Sequence, residues 1–170
     1  PRAELLEAVE GVDALVAMLV DRVDDELLDA AGPRLRVVAN VAVGYDNIDV
    51  EACRARGVAV TNTPGVLTEA TADLAMALIL MTTRRLGEAE RLVRSGTGWQ
   101  GGMGLLLGRG LQGRTLGIVG LGGIGRATAR RARAFGMSVA YTGRHDAPAK
   151  VVEELGARRL PLEDLLAESD

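Results

Sequence analysis

The sequence predicts an α/β chain of doubly wound parallel sheets, divided between two partial domains. Three observations predict it. Short β-rich runs alternate with helical patterns along most of the chain. The rhythm breaks once, at Thr63-Pro64-Gly65, ahead of the longest helical pattern. A third signal is the run Leu116-Gly117-Ile118-Val119, which passes directly into Gly120-Leu121-Gly122-Gly123-Ile124-Gly125, a glycine turn between a strand and a helix. Strands spaced by short helices lie parallel, with helices covering both faces of the sheet.

The elements follow in order. The chain starts directly in helical pattern, Pro1-Arg2-Ala3-Glu4-Leu5-Leu6. Residues 13–20 read as a buried strand. Asp24 caps a helix running toward Ala31, and Gly32-Pro33 ends it. Residues 35–40 are the next strand. Asp49 is a good N-cap for a helix ending at Gly57, and residues 58–62 form a third strand. After the break, one long helix is predicted over residues 68–94, with Ala70, Leu74, Ala77, Leu78 and Met81 at helical spacing. Thr68 can cap it, and Glu69 sits in its first turn against the dipole. A helix of this length reads as a bridge between two layers or domains. Residues 95–110 form a glycine-rich arm carrying the single Trp99, which fits packing under a neighbouring chain or domain better than cofactor binding. The glycine turn then opens a helix to Phe135-Gly136. A strand follows over 138–141, then a helix over 150–155 and another from Leu162. The expected organisation is residues 1–64, 65–112 and 113–170. Because the chain begins and stops in helical pattern, it is expected to be a piece of a longer protein.

Composition narrows the function classes. The net charge is −3, which gives no reason to expect a polyanion partner. The cluster Arg130, Arg131, Arg133 wraps around its helix and reads as a solvated face. The single cysteine, Cys53, excludes a disulfide framework and reads as a structural thiol in a reducing, cytoplasmic setting. No spaced metal-ligand cluster stands out. The longest apolar run, residues 74–81, is too short to span a bilayer, and the N-terminus has no basic-then-apolar signal pattern.

The glycine turn carries the chemistry. Gly120 allows the tight turn off the strand. Gly122 leaves room for backbone to approach a pyrophosphate, and Gly125 lets the helix pack close to the strand. The free N–H groups and positive dipole end of the helix, at Gly123 and Ile124, suit phosphates. A dinucleotide site of Rossmann type is favoured over a purely structural turn.

Several longer stretches carry a resemblance. Val43-Gly44-Tyr45-Asp46-Asn47-Ile48-Asp49, the run from Val60 to Asp73 through Thr63-Pro64-Gly65, and the run from Leu111 to Gly122 occur in order. Together they make the chain resemble the D-isomer-specific 2-hydroxyacid dehydrogenases, and among them the glyoxylate/hydroxypyruvate reductases (glycerate dehydrogenases). The resemblance implies a flavodoxin-like substrate domain and a Rossmann NAD(P)-binding domain, joined by the long helix and meeting at an active-site cleft. It implies an oxidoreductase that moves a hydride between a nicotinamide and a small 2-oxo or 2-hydroxy acid. Val43 and Gly44 would hold the substrate carboxylate through backbone N–H groups, with Met18 and Leu19 near the same pocket. Thr68 would face the nicotinamide, a role compatible with capping. The resemblance also implies a cytoplasmic homodimer, although Gly102 and Gly104 should loosen the arm. Gly123 stands where an arginine is common. The catalytic Arg, Glu and His are expected downstream of Asp170, so these residues alone are expected to be inactive.

The end of the second nucleotide-domain strand points to the cofactor. NAD-specific members place a carboxylate there to hold the ribose hydroxyls. Here that position is Gly143, followed by Arg144 and His145, the only histidine. A guanidinium at this place pairs with a 2′-phosphate, an interaction worth roughly 1.5–3 kcal/mol. NADP(H) is therefore favoured, with NAD(H) left open by reading Arg144 as a surface residue of a turn. The Gly-Arg pair favours a glyoxylate/hydroxypyruvate reductase over a phosphoglycerate- or lactate-type enzyme. A non-catalytic, nucleotide-sensing corepressor on the same fold is the alternative from another class.

Overall fold

The computed structural model describes residues 1–98 and 101–170, in two units, Pro1–Val66 and Leu67–Asp170. Trp99 lies outside the described residues.

The first unit runs α1 (Arg2–Ala8), β1 (Ala14–Ala17), α2 (Asp25–Ala31), β2 (Val37–Asn40), α3 (Val50–Ala55) and β3 (Ala59–Thr61). Its strands are parallel in the order β1-β2-β3, with Val38 level with Leu15 and Val60. Val23, Leu27, Ala31, Val38 and Cys53 are fully buried at its centre. Burial and the Asp49 carboxylate push the Cys53 thiol up in pKa, against a smaller pull from Arg56, as suits an inert structural thiol.

Both predicted caps form. The carboxylates of Asp24 and Asp49 accept the backbone N–H groups of Leu27 (3.2 Å) and Ala52 (2.8 Å). The first strand is shorter than predicted. Asp21 accepts the Met18 N–H at 2.8 Å and returns its own N–H to the Met18 carbonyl at 2.9 Å, so the chain turns out after Ala17. Met18, Leu19 and Val20 are exposed there.

Asp24 also gives a pH prediction. Burial opposes its ionisation, but the Leu27 N–H and the Arg2 and Arg22 guanidinium groups outweigh burial and hold the carboxyl below its ordinary pKa. Its stabilisation is thus present above the unfolded-state pKa and lost as pH falls through the lower folded value. Asp24→Ala should cost about 1 kcal/mol near neutrality and flatten the acid limb of Tm against pH. An unchanged acid limb would count against this account.

The second unit runs α4 (Thr68–Thr83), α5 (Leu86–Arg94), β4 (Thr115–Val119), α6 (Gly123–Ala134), β5 (Ser138–Thr142), α7 (Ala149–Leu155), β6 (Arg158–Arg159) and α8 (Leu162–Glu168). The order is β4-β5-β6, all parallel, with Ile118 level with Tyr141. Ile118, Leu121, Ala129, Val139, Tyr141 and Leu155 pack into one core. Met76 of α4 joins Leu111, Ala132 and Met137 in a second.

Three expectations change here. The helix predicted over 68–94 is two helices, because Arg85 takes a left-handed conformation (φ 54°) between them. The arm uses that break: the Arg109 N–H bonds the Thr83 carbonyl at 2.7 Å. Thr68 does not cap α4. Leu67 is the N-cap residue, and no side-chain cap bond forms. The basic cluster is not simply a solvated face, since Arg131 bridges Glu69 (2.8 Å) and Asp73 (2.7 Å) of α4, and Arg133 bonds the Glu154 carbonyl at 3.3 Å. β6 has no counterpart in the sequence reading, because two adjacent arginines show no strand pattern. Among the described residues no helix is long and apolar enough to cross a membrane.

Candidate functional site

The glycine turn joins β4 to α6. Gly120 has φ 95°, a conformation that a side chain would strain. Its N–H bonds the Thr142 carbonyl at 2.8 Å, tying the turn to the end of β5. Gly122 is the N-cap of α6, without a side-chain cap bond, and α6 has no acidic residue in its first turn. A Cβ on Gly122 would meet nothing within 4 Å, so the space over the helix start is open. On Gly125 it would run into the Gly120 carbonyl oxygen. The turn is therefore packed from behind and open in front, which fits a pyrophosphate held by the N–H groups around Gly123 and Ile124. Arg126 closes it by donating to the Leu121 carbonyl at 2.9 Å. The hydroxyl of Thr68 lies 3.6 Å from a Cβ placed on Gly123, so α4 brings Thr68 to the same helix start.

Gly143 follows β5, and a Cβ built on it would lie 4.0 Å from the Gly120 Cα. Arg144 and His145 follow, both exposed. Among the described residues Arg144 has neither a hydrogen bond nor an ion pair. Asp146, the one acid of this loop, is paired with Arg159 at 2.5 Å.

In the first unit the loop after β2 holds Val43 and Gly44. The Asn62 amide donates to the Val43 carbonyl at 2.9 Å, and the Asn40 amide donates to the Gly44 carbonyl at 2.8 Å. The N–H groups of Val43, Gly44 and Tyr45 have no acceptor among the described residues. Two amides thus hold the peptide carbonyls while the N–H groups stay open, an arrangement suited to a carboxylate. Asn47 links Asn40 (3.3 Å) to the Met18 carbonyl (3.1 Å), so Met18 and Gly44 share one network.

Sequence reasoning missed Asn40, Asn47 and Asn62. A polar amide closing the apolar strand Val37-Val38-Ala39 was the available signal for Asn40, which is 2 % exposed. Arg126 and Arg159 carried none.

Residues 1–156 match the family model of the D-isomer specific 2-hydroxyacid dehydrogenase catalytic domain. The chain belongs to the D-isomer-specific 2-hydroxyacid dehydrogenases. Among curated relatives of this dehydrogenase chain, the glyoxylate reductase of Thermococcus kodakarensis is 56 % identical over 174 residues, covering 100 % of this chain and 52 % of that protein. Among solved structures, the TT0316 protein of Thermus thermophilus aligns with a TM-score of 0.91 at 49 % identity, covering 100 % of this chain and 52 % of that one. The D-lactate dehydrogenase of Aquifex aeolicus, complexed with NAD and lactic acid, aligns at TM-score 0.83 and 32 % identity, covering 100 % and 48 %. The chain spans about half the length of the relatives it matches.

Proposed function

We propose that this dehydrogenase chain belongs to an enzyme that reduces a small 2-oxo acid, glyoxylate or hydroxypyruvate, to the D-2-hydroxy acid with NADPH. The observation that carries the reading is the Val43–Gly44 loop. Its open N–H groups suit the carboxylate of a small acid, in a chain more than half identical to a glyoxylate reductase. Asn62 and Asn40 orient those donors, and the loop binds the acid and sets its direction. Met18 borders the same network.

In the second unit, Gly120, Gly122, Gly123, Ile124 and Gly125 would hold the pyrophosphate, with Thr68 beside the helix start on the nicotinamide side. The bound nicotinamide supplies the hydride that reduces the carbonyl carbon. Gly143, Arg144 and His145 would surround the adenosine ribose. With no carboxylate at Gly143 and Arg144 uncommitted, a 2′-phosphate is favoured over a bare ribose. His145 has no proton-transfer role in this reading. A homodimer is the proposed assembly, to be checked by light scattering.

Both assignments are tested in the whole enzyme to which the chain belongs, the cofactor by Arg144→Ala. The KM for NADPH should rise roughly 10- to 100-fold, the equivalent of one charged hydrogen-bonding contact. The KM for NADH should stay within about twofold. An equal rise for both would reject the role given to Arg144. The substrate class is tested by comparing kcat/KM for glyoxylate, hydroxypyruvate, pyruvate and phosphohydroxypyruvate. A preference for either of the last two would favour a lactate- or phosphoglycerate-type enzyme.

A further inference from the structure

Arg159 stands in β6, level with Tyr141 of β5, and reaches back to the loop that leaves β5. One guanidinium nitrogen donates to the Gly143 carbonyl at 3.0 Å, and another meets the Asp146 carboxylate at 2.5 Å. A single side chain therefore ties both ends of the segment that carries Arg144 and His145. Asp146 is the only acid between β5 and α7. Among the described residues Arg144 is left without a polar partner.

The Arg159–Asp146 pair is solvent-exposed, at 45 % and 77 %, so it adds little to stability. What it controls is the location of a negative charge. A free carboxylate in this loop would accept hydrogen bonds from ribose hydroxyls and repel a 2′-phosphate. It would also compete for Arg144. Held by Arg159, its charge is offset for all three, and discrimination between two ligands can come as much from a removed repulsion as from an added contact.

We propose that Arg159 is a positioning residue for cofactor choice: by holding Asp146 and the Gly143 carbonyl, it leaves Arg144 free for the 2′-phosphate of NADPH. This rests on the NADPH reading above.

The test is the dissociation constants of NADPH and NADH, from nucleotide fluorescence titrations of the wild type and of variants. Melting curves check folding. Arg159→Ala should weaken NADPH about fivefold or more and leave NADH unchanged or tighter. Adding Asp146→Asn to Arg159→Ala should return NADPH to within about twofold of the wild type, because the freed charge is gone. Arg159→Gln removes the charge with less loss of bulk and should show the same shift, so it serves if the alanine variant does not fold. Equal weakening of both nucleotides, or no recovery with Asp146→Asn, would overturn the role of Arg159. The Arg144→Ala control separates the two claims. If it discriminates between the nucleotides and Arg159→Ala does not, only this inference falls. If Arg144→Ala does not discriminate, the NADPH reading falls and takes the inference with it.

Discussion

Gly125→Ala should abolish measurable nucleotide binding and destabilise the second unit by about 1–3 kcal/mol. The added Cβ would run into the Gly120 carbonyl oxygen, and would lie 3.2 Å from Ile118 Cγ2 and 3.3 Å from the Gly120 carbonyl carbon. Two of these three atoms are backbone, so no side-chain rotation relieves the clash. α6 must retreat from β4, and the turn that presents Gly122 and the helix N–H groups is carried with it. For a chain of this size the melting temperature should fall by roughly 4–10 °C. Gly122→Ala is the matched control. Its Cβ meets nothing within 4 Å and its φ is −77°, so the cost should be limited to the poorer capping by alanine, about 0.5–1 kcal/mol. Nucleotide affinity should still drop, because the methyl group enters the open space over the helix start. Thermal melts and NADPH titrations read both effects. A Gly125→Ala protein that melts like the wild type would show that the helix can back away freely.

The second large effect is expected in the first unit. Asn40→Asp keeps the shape of a side chain that is 2 % exposed but replaces its donor with a carboxylate. That group would face the Gly44 carbonyl oxygen, now 2.8 Å from the Asn40 amide nitrogen. The carbonyl loses its partner and a buried charge is left without a cation, at a cost of about 3 kcal/mol or more. The melting temperature should fall by on the order of 10 °C near neutrality. The sign with pH is set by desolvation, which raises the pKa of the introduced carboxyl in the folded state. The protonated form can still donate to Gly44, so the variant should be closest to the wild type in acid and lose stability as pH rises through that raised pKa. In the whole enzyme of the proposed reading, the KM for the 2-oxo acid should rise at least about tenfold through misdirected N–H donors, while the NADPH dissociation constant holds. A parallel loss in both would mean general unfolding rather than loss of the loop. Asn62→Ala, which frees only the Val43 carbonyl, should raise the same KM with a smaller change in melting temperature.

Much of the fold was legible because its signals are local. Asp24 and Asp49 cap their helices as read, since a cap depends on a side chain and a backbone N–H three residues on. The strand, glycine turn and helix around Gly120–Gly125 were legible for the same reason. The break at Arg85 was not. The left-handed residue is an arginine, with the nearest glycine, Gly87, two positions on inside α5, and the carbonyl at Thr83 is taken by Arg109 of the distant arm. Arg131 was misread because its partners, Glu69 and Asp73, lie 62 and 58 residues away.

The sequence by itself determined the α/β class, the family resemblance, the glycine turn at Gly120–Gly125 between strand and helix, and the absence of an acid at Gly143. These are properties of residue order, and a single chain carries them whole. Only the tertiary structure decided how the sites are held. It set Asn62 and Asn40 on the carbonyls of Val43 and Gly44, Thr68 beside Gly123, and Arg159 on Gly143 and Asp146. Such contacts join residues that are remote in sequence or that lie on different elements, and their directions depend on sheet register and helix packing. No local pattern encodes them.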